Sequence, residues 1–328
     1  MVDNNKRIQI TYKDVEGEEE KQLEFAYGPH LKFVTALPTV IKFPKKFVEV
    51  ADSIENFKIR PDDVWFLAYP RTGSNWVQEM AWLIGHDLNY EEANKTLLPF
   101  RSPLLEGTAL VGHLYGEWGK KPENMLEYAT NEKSPRHIKT HLPWNFAPLE
   151  LVTVKPKIIC TIRNPKDVCV SLHKLLTLTM DLKIPFEIFC ELFLQGRVVC
   201  GSYFEHLLTY WNMRHQLNII FLKYEEMKKD VEATIARIAE FLEKKITEDE
   251  IKQLAEHVSF EKMSKNPSVN RQDVLKALKE EQQREDLPME FIRKGEVGDW
   301  RNHMSPEIAA KFDEMTVHYF KDTGISFE

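Results

Sequence analysis

Eight consecutive residues, Tyr69-Pro70-Arg71-Thr72-Gly73-Ser74-Asn75-Trp76, join a short apolar run to an amphipathic one through a cation, a glycine and short hydroxyl or amide side chains. Such a turn offers several backbone N–H groups, hydroxyls and the positive end of a helix to one anion, which suits a phosphate. The plain alternative is an ordinary strand-to-helix turn with Ser74 or Asn75 as the N-cap. A Walker A loop, G-x-x-x-x-G-K-[ST], is excluded because no glycine stands five residues before Gly73 and no lysine follows it, which disfavours an ordinary NTPase or nucleotide kinase. Further along, His141 sits in Thr140-His141-Leu142-Pro143. An imidazole ionises near working pH and could take the proton of an attacking hydroxyl, although a lone histidine there would otherwise be structural. Lys139, two residues earlier on an expected strand, would share its face. Its ammonium could offset negative charge developing in a transfer reaction, or simply be solvated at a strand end.

The elements that must hold these groups are legible as alternating short β-branched runs and longer amphipathic stretches, the pattern of a parallel sheet with helices on its faces. Strands are expected at Val64 to Ala68, His137 to Thr140, Lys157 to Ile162 and Ile219 to Leu222. Asn75 to Ile84 reads as a helix with Trp76, Met80 and Ile84 on one stripe and Val77 and Ala81 beside it. Pro165 and Asp167 mark another helix start, and Ile235, Ile238, Ala239 and Leu242 mark a third helix. In an open α/β sheet the ligand lies beyond the strand C-terminal ends, which is where both chemical segments fall.

Composition bounds the function. With 328 residues, 43% of them hydrophobic, the chain can bury a large core as one α/β domain, and no Pro/Gly/Ser-rich linker divides it. A net charge of −7 excludes a general nucleic-acid binder, so any phosphate must be met by a local cluster of cations. No apolar leader and no run of about eighteen apolar residues is visible, so a cytoplasmic protein with no membrane partner is expected. Cys160, Cys169, Cys190 and Cys200 show no metal spacing and read as buried thiols. The first twenty or so residues and Arg271 to Asp286 read as charge-rich surface segments.

Arg60-Pro61-Asp62-Asp63-Val64-Trp65 followed by the Tyr69–Trp76 octet closely resembles the R-P-D-D…Y-P-K-S-G-T-T-W segment of the cytosolic sulfotransferases, with the insect members as the nearest likeness. Four further blocks match in the same order. They are Lys139-Thr140-His141-Leu142-Pro143, Arg163-Asn164-Pro165-Lys166-Asp167-Val168-Cys169-Val170-Ser171, Tyr224-Glu225-Glu226-Met227 and Arg293-Lys294-Gly295-Glu296-Val297-Gly298-Asp299-Trp300-Arg301-Asn302. The likeness spans about residues 55 to 310. It implies a single domain over 46–328, with 1–45 as an N-terminal extension capping the pocket, and a kinase-like strand-turn-helix phosphate loop. It implies an enzyme that moves sulfonate from 3′-phosphoadenosine-5′-phosphosulfate (PAPS) to the hydroxyl or amine of a small apolar acceptor, leaving PAP, with no metal.

By the same resemblance His141 is the catalytic base, and Lys139, Arg71 and Ser171 are its catalytic companions. Arg71, Thr72, Gly73, Ser74, Asn75 and Trp76 meet the 5′-phosphosulfate and adenine. Arg163, Ser171, Arg293, Lys294 and Gly295 meet the 3′-phosphate, which needs charge-assisted hydrogen bonds. Trp76, Tyr224, Ser259, Phe260 and Met263 line the adenine pocket. Arg71 and Asn75 replace the family's lysine and threonine, and a guanidinium is not an ammonium at a bridging oxygen.

The acceptor wall is expected from Phe33 to Pro38, Leu97 to Leu105 and Leu172 to Leu182, with Phe33, Leu104, His141 and Leu175 named in particular; Leu104 stands where the family often has an aromatic. Ser264 to Asn270 and Arg271 to Glu290 could form a lid. The family's dimer motif is not kept, since its positions read Arg301, Ser305, Pro306 and Ala310, so a monomer or weak homodimer is expected. Two rivals share the fold: a dehydratase-like lyase that sulfonates an alcohol transiently, and a non-catalytic module that binds a nucleotide or apolar ligand.

Overall fold

The computed structural model describes residues 8–28, 31–110, 124–281 and 290–327. Its central sheet is parallel, in the order β5 (His137–Thr140), β4 (Val64–Ala68), β6 (Lys157–Ile162), β7 (Ile219–Lys223). β4 pairs on both sides, with Leu67 opposite Thr140 and Ala68 opposite Thr161. All five of its residues are buried, as a parallel strand under helices on both faces requires. The register has a direct consequence for chemistry: the segments that follow β4, β5 and β6 leave the sheet side by side.

The helix Ser74–Gly85 returns from β4 with Val77, Met80, Ala81 and Ile84 of the expected stripe buried, and it is covered on its other sides too, where Gln78, Glu79, Trp82 and Leu83 are buried. The turn before β4 is pinned by Asp63, whose two oxygens accept from Arg136 Nε at 2.8 Å and Nη2 at 2.6 Å, while Oδ2 also accepts from the Arg60 N–H at 2.8 Å. Both side chains are fully buried, so removing either partner should cost about 3–5 kcal/mol.

Two expectations are corrected. Residues 8–20 lie largely at the surface as read, but they are not without structure: β1 (Thr11–Asp14) pairs with β2 (Phe33–Leu37), which pairs with β3 (Ile41–Pro44), forming a separate three-stranded antiparallel sheet. The helix Glu18–Tyr27 lies between β1 and β2 and buries Ala26 and Tyr27. The apolar face here is carried by Tyr27, Phe33, Phe43 and Phe47, with Phe43 stacked 4.2 Å from Phe47, while β1 itself is almost all polar and exposed. Likewise Gln272–Glu281 is a helix whose Val274, Leu275 and Leu278 are buried against Met125 and Leu178. Three apolar residues within a Lys/Glu-rich run suffice to dock it, too few to stand out by composition. Residues 282–289 of the expected lid lie outside the described residues, and the segment before it folds into two short helices with Ser268, Val269 and Asn270 buried.

Candidate active site

The phosphate-type loop is shaped by two residues with positive φ, Arg71 at 72° and Gly73 at 99°. Gly73, rather than Ser74 or Asn75, is the N-cap of the following helix. A Cβ on Gly73 would lie 2.7 Å from the Tyr224 ring, so the position is closed to other residues both by conformation and by space. Thr72 turns inward: its hydroxyl donates to the Tyr69 carbonyl at 2.8 Å and lies 2.7 Å from Thr161 Oγ1 on the neighbouring strand. Its side chain therefore fixes the loop and stays out of the cavity, whereas Arg71, Gly73, Ser74, Asn75 and Trp76 line it.

Three further segments close on this loop. After β6, Asn164 accepts from the Lys166 N–H and Pro165 begins the helix Pro165–Thr179, which brings Ser171 within 2.8 Å of Arg71 Nε. After β7, the Tyr224 ring packs edge-on to Trp76 at 6.0 Å and under the Arg163 guanidinium at 4.1 Å. The third comes from far along the chain. Asp167 accepts from the Gly298 and Trp300 N–H groups at 2.7 and 3.0 Å, holding Arg293, Lys294 and Gly295 over the site. Asp299 gathers Arg293 at 2.6 Å and Lys294 at 2.8 Å; burial alone would raise its carboxyl, but hydrogen bonds from Lys294, Arg293 and Asn302 hold it well below the usual range. Gly295, at φ 66°, rests its backbone on Phe260, where a Cβ would meet the ring at 2.7 Å.

The electrostatic result is a pocket of crowded cations. Burial, then Arg163 and Arg293, pull the Arg71 guanidinium down to about 10. Burial, then Arg271, pull the Lys139 ammonium down to about 7, with Arg71 acting in the same sense and Glu106 opposing. Arg163 Nε is buried with no hydrogen-bond partner. The two substitutions in the loop prove to be structurally coupled to this set: Arg71 reaches Ser171, and Asn75 Oδ1 accepts from Lys139 Nζ at 3.1 Å.

His141 follows β5 directly. Its Nδ1 faces the Ala68 carbonyl oxygen, so that nitrogen carries the proton and Nε2 keeps its lone pair. Burial, then Lys139, hold the imidazole well below its ordinary pKa, which keeps it neutral and able to accept a proton. Beyond His141 the cavity is apolar. Leu172, Leu175, Leu176, Thr179 and Met180 descend along the Pro165–Thr179 helix, faced by Leu104 and Leu110.

The fold thus brings together Arg71, Gly73, Ser74, Asn75, Trp76, Lys139, His141, Arg163, Ser171, Tyr224, Phe260, Met263, Arg293, Lys294 and Gly295, with Leu104 and Leu175 on the apolar wall. Three expected residues stand apart. Thr72 is spent within its loop. Ser259 is the N-cap of the helix Phe260–Lys265, its hydroxyl accepting from the Lys262 N–H, and its neighbours Val258 and Phe260 reach the cavity instead. Phe33 packs on Tyr27 at 5.4 Å in the antiparallel sheet, away from the lining. Lining residues not expected from sequence include Phe291 and Lys228, whose charge-rich surroundings carry no local signal for a site, while Arg271 enters from the start of the segment expected as a lid. Among the described residues no three His, Cys, Asp or Glu side chains converge as a metal site, and no helix is long and apolar enough to cross a membrane.

Comparison with known proteins agrees with this architecture. The family described as the sulfotransferase domain matches residues 61–324. The luciferin sulfotransferase of Photinus pyralis is 37% identical over 82% of this chain and 75% of its own length. Human sulfotransferase 1E1 is 32% identical over 86% and 92% of the two chains. A crystal structure of retinol dehydratase with androsterone and the inactive cofactor PAP superposes with a TM-score of 0.83 at 30% identity, covering 98% of each chain. With a family match over most of its length laid on a strand-turn-helix loop and a cation-lined pocket, the chain belongs to the sulfotransferase family, as a PAPS-dependent transferase acting on small acceptors.

Proposed function

We propose that this enzyme transfers the sulfonate of PAPS to the hydroxyl of an elongated apolar alcohol or phenol, with His141 as general base. The observation that carries this is the crowding of Arg71, Lys139, Arg163, Arg271 and Arg293 around one cavity, where burial and then Arg163 and Arg293 lower the basicity of Arg71, and burial and then Arg271 lower that of Lys139. Such an arrangement opposes folding unless an anion of several charges relieves it. The cradle fits such a group: the Gly73 backbone, the partnerless Arg163 Nε and the Arg293-Lys294-Gly295 loop surround it, with Trp76, Tyr224 and Phe260 as aromatic walls.

Bound there, PAPS supplies an activated sulfur whose bond to the bridging phosphate oxygen is the one broken. His141 Nε2 takes the acceptor's hydroxyl proton as the new S–O bond forms. Lys139 and Arg71 face the charge that gathers on the leaving side, and Arg163, Ser171 and Arg293 hold the 3′-phosphate. The apolar arm runs from Leu172 to Met180, about 12 Å along a helix axis. That length suits a fused-ring or polyene body better than a single ring, in keeping with the androsterone and retinol held by the structural neighbours. Ile41 of the N-terminal segment supports this arm from behind: a Cβ at Gly201 would lie 2.9 Å from Ile41, next to the lining residues Val199 and Cys200.

With the dimer motif replaced at Arg301, Ser305, Pro306 and Ala310, we place the enzyme in the cytoplasm as a monomer or weak homodimer; sedimentation across concentration tests the second point. A second reading, loss of sulfate from a transient ester to leave an alkene, is favoured by the likeness to retinol dehydratase. The test is transfer from labelled PAPS to phenols, sterols and retinoids, by wild type and His141→Ala. A sulfated product that falls by about 10²–10⁴-fold in the variant supports the proposal; an alkene with free sulfate selects the second reading, and tight PAP binding with no turnover of any acceptor would overturn both.

A further inference from the structure

Beside the catalytic pair lies a carboxyl group the transfer chemistry does not itself use. Glu106 is 1% exposed, in the segment that hydrogen-bonds to β5 through Leu105 N–H to the Lys139 carbonyl at 2.9 Å. Its Oε1 accepts the His141 backbone N–H at 2.6 Å, and its Oε2 accepts the Thr140 hydroxyl at 2.9 Å. Thr140 Oγ1 in turn accepts the Leu142 N–H at 3.1 Å, so one carboxyl group fixes three successive residues across the histidine. Both oxygens are engaged, and the His141 N–H can only donate, so Oε1 is an acceptor in either protonation state while a carboxylate lets Oε2 accept as well. Such a charge in a dry interior is expensive and is kept where it has work to do.

We infer that Glu106 is a positioning residue for His141: it clamps the 140–142 backbone so that Nδ1 meets Ala68 and Nε2 faces the acceptor, and its negative charge stabilises the imidazolium formed during transfer. This rests on His141 being the base. Lys139 and Cys200 also face Glu106, and His206, Lys139 and Arg271 face His141; of these Lys139 carries the charge that Glu106 offsets. Burial raises the Glu106 carboxyl to about 7, opposed by the His141 N–H, the Thr140 hydroxyl and Lys139. The clamp is therefore set as pH rises through neutrality.

The test compares wild type, Glu106→Gln, Glu106→Asp and His141→Ala. Glu106→Gln keeps size and removes charge; the expectation is a fall in kcat of about 10–100-fold with KM for PAPS changed less than about twofold, and an acid limb of the kcat profile moved to lower pH. Glu106→Asp keeps the charge and is expected to retain the acid limb near wild type. In the ligand-free protein, imidazole ¹⁵N signals should show His141 protonated on Nδ1 in wild type and mixed tautomers in Glu106→Gln. If Glu106→Gln fails to fold, Thr140→Val, which cuts one of the two contacts, should show the same changes at smaller size. A soluble Glu106→Gln with wild-type kcat and tautomer, or with lower kcat and an unmoved pH profile, would overturn the inference. A His141→Ala enzyme that keeps its activity would instead overturn the base assignment on which it rests.

Discussion

The two ends of the cavity are built by opposite means. At the donor end, rigid backbone does the work: positive φ at Arg71, Gly73 and Gly295, two contacts that exclude a Cβ, and acidic anchors, Asp167 and Asp299, that aim a distant loop. At the acceptor end a single helix offers leucine and methionine side chains, faced by Leu104 and Leu110. Polar groups with fixed directions recognise one ligand and reject its neighbours strongly, whereas an aliphatic wall discriminates by only a few kcal/mol and can repack. On the proposed reading the donor is therefore specified by this architecture and the acceptor is only bounded in length and polarity.

That contrast can be broken at several points. Gly73→Val should have the largest effect, because it adds both a strained φ and a clash with Tyr224: PAP affinity should fall by about 100-fold or more, measured by calorimetry, while binding of an apolar acceptor changes little. Equal loss at both ends would show that the two are not separable. Arg163→Ala removes one buried cation and should weaken PAP by about 30-fold, with a shallower dependence of affinity on salt; an unchanged salt dependence would exclude direct contact with the anion.

Titration of Lys139 comes next in size. Lysine is charged below its pKa, here lowered to about 7 by burial first and Arg271 second, so PAP affinity should decline as pH rises from 6 to 8, by about tenfold, with proton uptake on binding. Lys139→Arg, charged throughout this range, should flatten the decline; a flat wild-type profile would deny Lys139 a place beside the anion. Leu175→Phe should be the mildest, shifting acceptor KM by about three- to tenfold toward shorter acceptors with PAP affinity unaltered. A change in PAP affinity of similar size would mean that the helix couples the two ends.

Legibility in the sequence divides along the same line. The donor end depends on local, directional chemistry, so Gly73, the Pro165/Asp167 helix start and the Lys139/His141 pair leave marks within a few residues; β4, β6 and β7 were readable from their apolar runs, and β5 as a short strand ending in polar groups. Thr72 and Ser259 sit inside legible segments, yet whether a hydroxyl faces a ligand or its own backbone depends on neighbours such as Thr161 and Lys262, brought close only by folding. Phe33 looked like cavity wall because an apolar run does not say which core it joins. Glu106 lies one residue past the Leu97 to Leu105 stretch read as acceptor wall, and its use became visible only once β5 lay against it.

The sequence by itself determined the strand-turn-helix loop, the parallel α/β core and the family, because periodicity, glycine conformation and capping act over a few residues. The tertiary structure alone decided the antiparallel N-terminal sheet, the docking of the charge-rich Gln272–Glu281 helix, the addition of Arg271 and Lys228 to the cations of the cavity and the clamp of Glu106 on His141. Those features rest on contacts between residues tens to hundreds of positions apart, and their charges, hydroxyls and rings acquire direction only when burial removes the water that would otherwise satisfy them.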